Sequence, residues 1–306
     1  MKPALWSPAG FLKVKTMAEL DELQRIASQV RRDIIRQTHY AASGHPGGSL
    51  GCADFFTALY FKVLRRNKGF SMEGKGEDLF FLSNGHISPV WYSVLARSGY
   101  FPVEELSTFR KISSRLQGHP ATHEGLPGIR VASGSLGQGL SVSVGAALAK
   151  RLDGDPHLVY CLTGDGELQE GQVWEAMLFA AHHKVDNLIV TVDWNGKQID
   201  GPNDEVISLG DLPAKWAAFG WDVLRMNGND MADVLKTLET AKEHTGKGRP
   251  VVILMKTEMG YPVDFMMGTH KWHGVAPNAE QAEKALSQLE ETLGDYPYVV
   301  DYKHII

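Results

Sequence analysis

The chain has 306 residues, 43% hydrophobic and 22% charged, the proportions of an ordinary globular protein long enough for one large α/β domain or two small ones. Its net charge of −5 at pH 7 argues against nucleic acid or an anionic membrane surface as a partner. No run reaches the roughly 18 apolar residues of a membrane span, and Met1-Lys-Pro-Ala-Leu-Trp-Ser-Pro8 has no signal-peptide apolar region; the two cysteines, Cys52 and Cys161, sit in apolar contexts that read as buried thiols of a reducing cytoplasm.

In chain order, Leu20, Leu23, Ile26, Ala27, Val30, Ile34 and Ile35 recur at helical spacing and predict a helix over 17–41. Gly44-His45-Pro46-Gly47-Gly48 breaks it, and a second apolar helix is expected over 52–64. A short buried strand over 78–83 ends at Asn84-Gly85-His86, and short helices over 89–97 and 103–109 lead into a loop rich in Gly, Pro and His over 115–130. The helix expected over 134–151 carries Gly137, Gly139, Ser141, Ser143, Gly145, Ala146 and Ala147. Glycine inside a helix costs about 0.5–1 kcal/mol relative to alanine, so this run implies close packing, either on its own sheet or against another backbone.

Buried strands over 157–163 and 187–193 flank a helix at about 170–184. A loop at 202–210, a short helix at 213–219, a strand at 221–226, a helix at 231–243 and a strand at 250–256 follow, then a second Gly/His loop at 260–277 and a last helix at 279–293. Continuous apolar strands alternating with helices predict a mainly parallel sheet covered by helices on both faces, three layers in one domain over 1–306. In such sheets ligands sit beyond the C-terminal strand ends, so His86, Asp165 and Asn195 are expected along one edge.

The chemistry concentrates at two of those ends. One strand runs into Gly164-Asp165-Gly166 and its neighbour into Asp193-Trp194-Asn195-Gly196. A carboxylate and an amide at adjacent strand ends are hard oxygen ligands that suit Mg²⁺ (or Ca²⁺ or Mn²⁺) holding a diphosphate as well. Gly-Asp-Gly alone is equally a plain turn; the second strand end favours the metal. Of the 12 histidines, His39, His157, His244 and His304 read as solvated or structural, and His182 and His183 as packing at a helix end. His45, His86, His119 and His270 each stand in a Gly- or Pro-containing loop. The i,i+3 pair His270 and His273 lacks the cysteine or third clustered ligand a zinc site would need. Neither a dinucleotide-binding Gly-x-Gly-x-x-Gly after a strand nor a P-loop is present.

Gly44-His-Pro-Gly-Gly48, Ser83-Asn-Gly-His86, Gly118-His119-Pro120, Ser135-Leu136-Gly-Gln-Gly139, Gly164-Asp-Gly166, Leu168-Gln-Glu170-Gly171 and His270-Lys-Trp-His273-Gly274 stand in one order along the chain. Over residues 17–278 this order resembles the N-terminal, diphosphate-binding domain of transketolases, and in particular the shorter subunit of those split into two chains. The resemblance implies a thiamin diphosphate-binding fold and transfer of a two-carbon ketol unit from a ketose phosphate to an aldose phosphate, as in pentose phosphate metabolism. It implies His45, His270, His119 and His86 as catalytic histidines moving hydroxyl protons. Ser135, Leu136, Gly164, Asp165, Gly166, Glu170 and Asn195, with His86 and His270, are the implied cofactor contacts. The metal shell would be Asp165, Asn195 and the backbone carbonyl of Lys197, and Glu170 would stand at a subunit contact near the cofactor.

The pyrimidine-binding and C-terminal domains of full-length relatives have no counterpart in this sequence. The resemblance therefore implies a heterotetramer of two plus two chains, formed with a C-terminal partner subunit. The alternatives are half of a related thiamin enzyme, deoxyxylulose-phosphate synthase-like or a transketolase of a specialised ketose, and a non-catalytic scaffold subunit; a scaffold has no need of Asp165, Asn195 and the loop histidines.

Overall fold

The computed structural model describes residues 17–67 and 69–298; residues 1–16, where the sequence reading expects no signal peptide, and His304 lie outside them. Five parallel strands form the sheet: β1 (Leu79–Leu82), β2 (Val159–Gly164), β3 (Leu188–Trp194), β6 (Asp222–Asn227) and β7 (Val251–Lys256), in the order β1-β2-β3-β7-β6. A separate two-stranded ribbon, β4 (Lys197–Gln198) with β5 (Gly201–Pro202), follows β3 and leads into the short α7 (Asn203–Val206).

The strands divide their side chains with period two. Phe80, Leu82, Tyr160, Leu162, Ile189, Ile253 and Met255 face one core with α1 (Met17–Ala41), α2 (Pro46–Gly51), α3 (Ala53–Ala58), α4 (Ser88–Arg97) and α9 (Met231–His244). Leu79, Phe81, Val159, Cys161, Val190, Val192, Val252 and Leu254 face the other, with α5 (Gln138–Leu152), α6 (Gly171–His182) and α8 (Leu212–Ala218). The three-layer parallel α/β fold is the one expected from strands that are apolar on both faces. Cys52 and Cys161 are free and buried, and among the described residues no helix is long and apolar enough to cross a membrane.

Three differences from the sequence-based expectation have local causes. The helix expected over 52–64 is divided: α2 ends at Gly51, α3 follows from Ala53, and Leu59–Val63 is a π-helical turn closed by Leu64 N–H donating to Leu59 O at 2.9 Å. The helix expected from 134 begins at Gln138, because Gly137 at its cap has φ +80°, a left-handed conformation that glycine adopts without strain. The last helix, α10 (Ala279–Ser287), stops short of the expected 293. There the Arg32 guanidinium of α1 donates to Leu286 O at 2.9 Å and Leu289 O at 2.6 Å and pairs with Asp295 at 2.7 Å, so the chain end is drawn along α1.

The small residues of α5 serve two surfaces. Gly139 and Ser143 are buried, and a Cβ on Gly139 would lie 2.5 Å from Ser83 Cβ and 2.6 Å from its Cα. This close approach brings the start of α5 onto the end of β1. Gln138, Ser141, Val142, Gly145 and Ala149 are exposed instead. Gly139→Ala should therefore destabilise the chain by about 1–3 kcal/mol through overpacking, read as a lower urea midpoint, whereas Gly145→Ala, with nothing within 4 Å of the added Cβ, should not.

Candidate active site

Register sets the first part of the site. Gly164 of β2 pairs with Asp193 of β3, and Asp165 N–H donates to Asp193 O at 3.1 Å. Both carboxyl groups are thereby buried at adjacent strand ends, each residue 1% exposed. Asp165 Oδ1 accepts from Gly166 N at 2.8 Å and its Oδ2 from Gly196 N at 2.6 Å. Asn195 Oδ1 accepts from Lys197 N at 2.8 Å, while its Nδ2 donates to Asp193 Oδ2 at 2.8 Å. The two expected metal ligands thus flank one turn at Gly196, φ +76°.

Burial and then the Asp193 carboxylate push the Asp165 carboxyl up to about 7. Among the described residues no lysine or arginine bonds it. Asp193 is also raised by burial but takes hydrogen bonds from the Thr257 hydroxyl and the Asn195 amide. Lys197 sends Nζ to Glu258 Oε1 at 3.0 Å, so only its backbone remains for a cation. Oδ1 of buried Asn84 has no partner, and the Asn203 side chain stands close enough to Asp165 to hold its charged form. An acidic, oxygen-only donor set with an unsatisfied polar atom nearby fits a hard divalent cation. Among the described residues no group of three or more His, Cys, Asp or Glu is spaced to hold a metal, so such a cation would lean on amide and backbone oxygens beside Asp165.

The histidines come from four separate segments. His45 precedes α2, where Gly47 N–H donates to Trp272 O at 3.0 Å and Gly260 N–H donates to Gly47 O at 2.9 Å. A Cβ on Gly47 would stand 2.8 Å from Trp272 O, so this docking requires glycine. It sets His273 beside His45 and His86, ring centroids 5.6 and 5.0 Å apart. His86, in the 3₁₀ turn Gly85–Ile87 after β1, is 5.1 Å from His45, and His119 is 6.3 Å from it.

His270 is not part of this cluster. It stands in an adjoining cleft with Ile199, Trp272 and Val275. His273 N–H donates to His270 O at 2.9 Å; Trp272, anchored by Gly47, fixes the last residue of that turn inward. The sequence held a signal for this: the apolar anchor Trp272 adjoins His273, whereas His270 lies between Thr269 and Lys271.

Burial is the largest cause that lowers all four clustered imidazoles. His45 falls to about 3, with His273, Arg110 and His119 contributing after burial. His86 is held well below the usual range, with His273 the next contributor. His119 is lowered next by Arg110, and His273 by His270. These rings are neutral at pH 7, able to donate at one nitrogen and accept at the other.

The two parts share one cavity of about 340 Å³, lined by Asp165, Asn195, His45, His86, His119 and His273. Gly164, Gly166, Leu136 and Glu170 also line it; Glu170 is exposed. Ser135 is exposed between Gly134 and Leu136, which do line the cavity. A larger cleft of about 610 Å³ beside Tyr60, Arg66 and Tyr100 contains none of these groups.

Residues 23–299 match the family model described as transketolase, thiamine diphosphate binding domain. The chain is 38% identical over 275 residues to one subunit of the apulose-4-phosphate transketolase of Phocaeicola vulgatus, spanning 90% of this chain and 96% of that one. It is 36% identical over 273 residues to the 6-deoxy-6-sulfo-D-fructose transketolase subunit of a Clostridium species, spanning 88% and 97%. Transketolase from Leishmania mexicana has the same fold, with a TM-score of 0.82 and 30% identity over 91% of this chain, which covers 42% of that protein's length. The chain belongs to the transketolase family and carries its thiamine diphosphate-binding domain.

Proposed function

We propose that this chain is the diphosphate- and metal-binding half of a transketolase acting on sugars with an anionic terminal group, its pyrimidine-binding half being carried by a partner subunit. The observation that carries the reading is the single cavity in which the Asp165–Asn195 turn meets four neutral histidines. The subunit names of relatives matched along 96% and 97% of their length support a divided enzyme. Those names also specify a sugar phosphate and a sulfosugar, which favours a specialised ketose over general pentose phosphates. Buried free thiols accord with a cytoplasmic setting.

On this reading Asp165, the Asn195 amide oxygen and the Lys197 carbonyl hold Mg²⁺, and the glycines at 164 and 166 let a diphosphate approach the backbone. Thiamin diphosphate, when bound, supplies the reversal of carbonyl polarity that carbon–carbon cleavage next to a ketose carbonyl needs. The protein's share is orientation and proton handling. His45, His86, His119 and His273 line the sugar's path; each neutral ring accepts a hydroxyl proton at one nitrogen while donating at the other. Leu136 and its turn face the pyrimidine end, and exposed Glu170 is left for a contact across subunits.

The direct test mixes the pure chain with its partner and follows ketol transfer from a phosphorylated ketose. The mixture should turn over and the isolated chain should not; equal rates from both defeat the divided-enzyme reading. Asp165→Ala should lower Mg²⁺-dependent thiamin diphosphate affinity by roughly 100-fold or more with the fold intact, as measured by calorimetry with the partner present. Asn195→Ala should act in the same direction but less. Unchanged affinity in Asp165→Ala removes it from the metal site.

The cluster geometry favours His273 where the family resemblance implies His270. His273→Ala should reduce turnover by about 10²–10⁴, while His270→Ala should stay within a few-fold of wild type. The reverse ranking in steady-state rates would return the role to His270.

Assembly should use the outer face of α5 and α6. Val142, Leu178 and Phe179 are 38%, 63% and 46% exposed, and Gly145, one turn after Val142 on α5, has open space before it. We expect two copies of this chain to pair there within a heterotetramer. Gly145→Arg or Leu178→Arg should halve the mass of the complex in light scattering; a fully active 1:1 wild-type complex overturns this.

A further inference from the structure

We propose that Glu167 is a positioning residue of this site: one buried carboxylate that clamps the 134–137 turn against the metal loop and the end of β1, so that the cleft is formed before the cofactor arrives. The proposal rests on the thiamin diphosphate reading above. Glu167 lies two residues beyond Asp165 in the 3₁₀ turn Gly166–Gln169 and is 2% exposed. Its Oε1 accepts from the Ser83 hydroxyl and from Gly137 N at 2.6 Å; its Oε2 accepts from Gly164 N at 3.0 Å. Ser83 Oγ accepts in turn from Gly139 N at 3.0 Å.

Three segments that line the cavity therefore meet on one side chain. β1 continues into Asn84 and His86, the 134–137 turn carries Leu136, and β2 continues into Gly164-Asp165-Gly166. Gln172 Nε2 holds the Leu136 carbonyl from the far side at 3.4 Å. A buried acid whose partners are one hydroxyl and two backbone amides is a costly way to fill space, and apolar residues of similar size generally fill it as well. What an apolar residue could not do is receive three donors from three segments. The isosteric amide could not either. With its oxygen toward Ser83 and Gly137, its NH₂ meets the Gly164 N–H; flipped, it abandons the other two donors. Positioning of this kind decides how much of the binding geometry is in place beforehand.

The test compares wild type with Glu167→Gln, each with its partner subunit. One readout is hydrogen–deuterium exchange of residues 133–139 in the cofactor-free protein. The other is the calorimetric Kd for thiamin diphosphate with Mg²⁺. A folded Glu167→Gln should exchange faster in that segment, with α9 unchanged, and bind thiamin diphosphate about tenfold more weakly or worse, as expected for losing a hydrogen bond to a charged group. Support requires both shifts. A change in only one, in neither, or in Tm alone overturns the proposal, because a packing role lowers Tm without moving cofactor affinity.

Should Glu167→Gln fail to fold, Ser83→Ala takes its place: it removes one donor and frees the Gly139 N–H, and both shifts in it support the clamp while anything less overturns it. Failure of the wild-type complex to bind thiamin diphosphate defeats the functional reading instead, and exchange in the cofactor-free protein then decides the clamp by itself.

Discussion

Two acidic side chains buried side by side at neighbouring strand ends organise this site. Parallel pairing of β2 with β3 sets Gly164 level with Asp193 and Asp165 one residue beyond it, where burial disfavours both charges and each disfavours the other. The chain meets this constraint differently at each. Asp193 is wrapped by Thr257 from the end of β7 and by the Asn195 amide, which makes it a structural acid joining strand ends. Asp165 receives the backbone amides of Gly166 and Gly196 and faces the cavity. With its Nδ2 committed to Asp193, Asn195 must turn Oδ1 the other way, toward the Gly196 turn. Asp193 thereby orients the amide oxygen beside Asp165, and both carboxyl groups line the cleft.

The rest of the cleft is assembled by close approaches between segments far apart in sequence. Gly47 against Trp272 brings His273 to His45, and Gly139 against Ser83 brings the start of α5 to the end of β1. In each place a side chain on the glycine would overlap backbone or Cβ atoms. The site is thus a product of tertiary contact: no single loop carries two of the four clustered histidines.

That division explains what was legible in the sequence. Strands that are apolar on both faces announce a parallel sheet, and the ends of such strands announce where Asp165 and Asn195 must stand. Local pattern carries both facts. His270 and His273 are three positions apart in one loop; Trp272 next to His273 is a local hint, and its docking on Gly47 is what tells them apart. Gly139 and Gly145 look alike inside a helix, yet one meets Ser83 and the other meets no atom. The end of α10 is set by Arg32 on α1, at the opposite end of the chain, where no capping signal in the local sequence could reveal it. Glu167 draws no reading from the sequence at all; its role rests on three donors that come from three segments.

The charges of the cleft also constrain the order in which it can be filled. A diphosphate arriving at Asp165 without a cation would meet a carboxylate already crowded by Asp193, so on the proposed reading anion and metal have to enter as one unit or metal first. The histidine wall imposes no such condition. Its imidazoles are neutral because burial and their mutual proximity keep them so, and a sugar's hydroxyls can replace water there without any unpaired charge being created. Arg110, hydrogen bonded to Ser43 behind that wall at 2.9 Å, adds a fixed positive charge that opposes protonation of His45 and His119. On the proposed reading the acidic corner and the neutral wall divide the work: one would select a metal-borne anion, and the other would exchange protons with an uncharged diol.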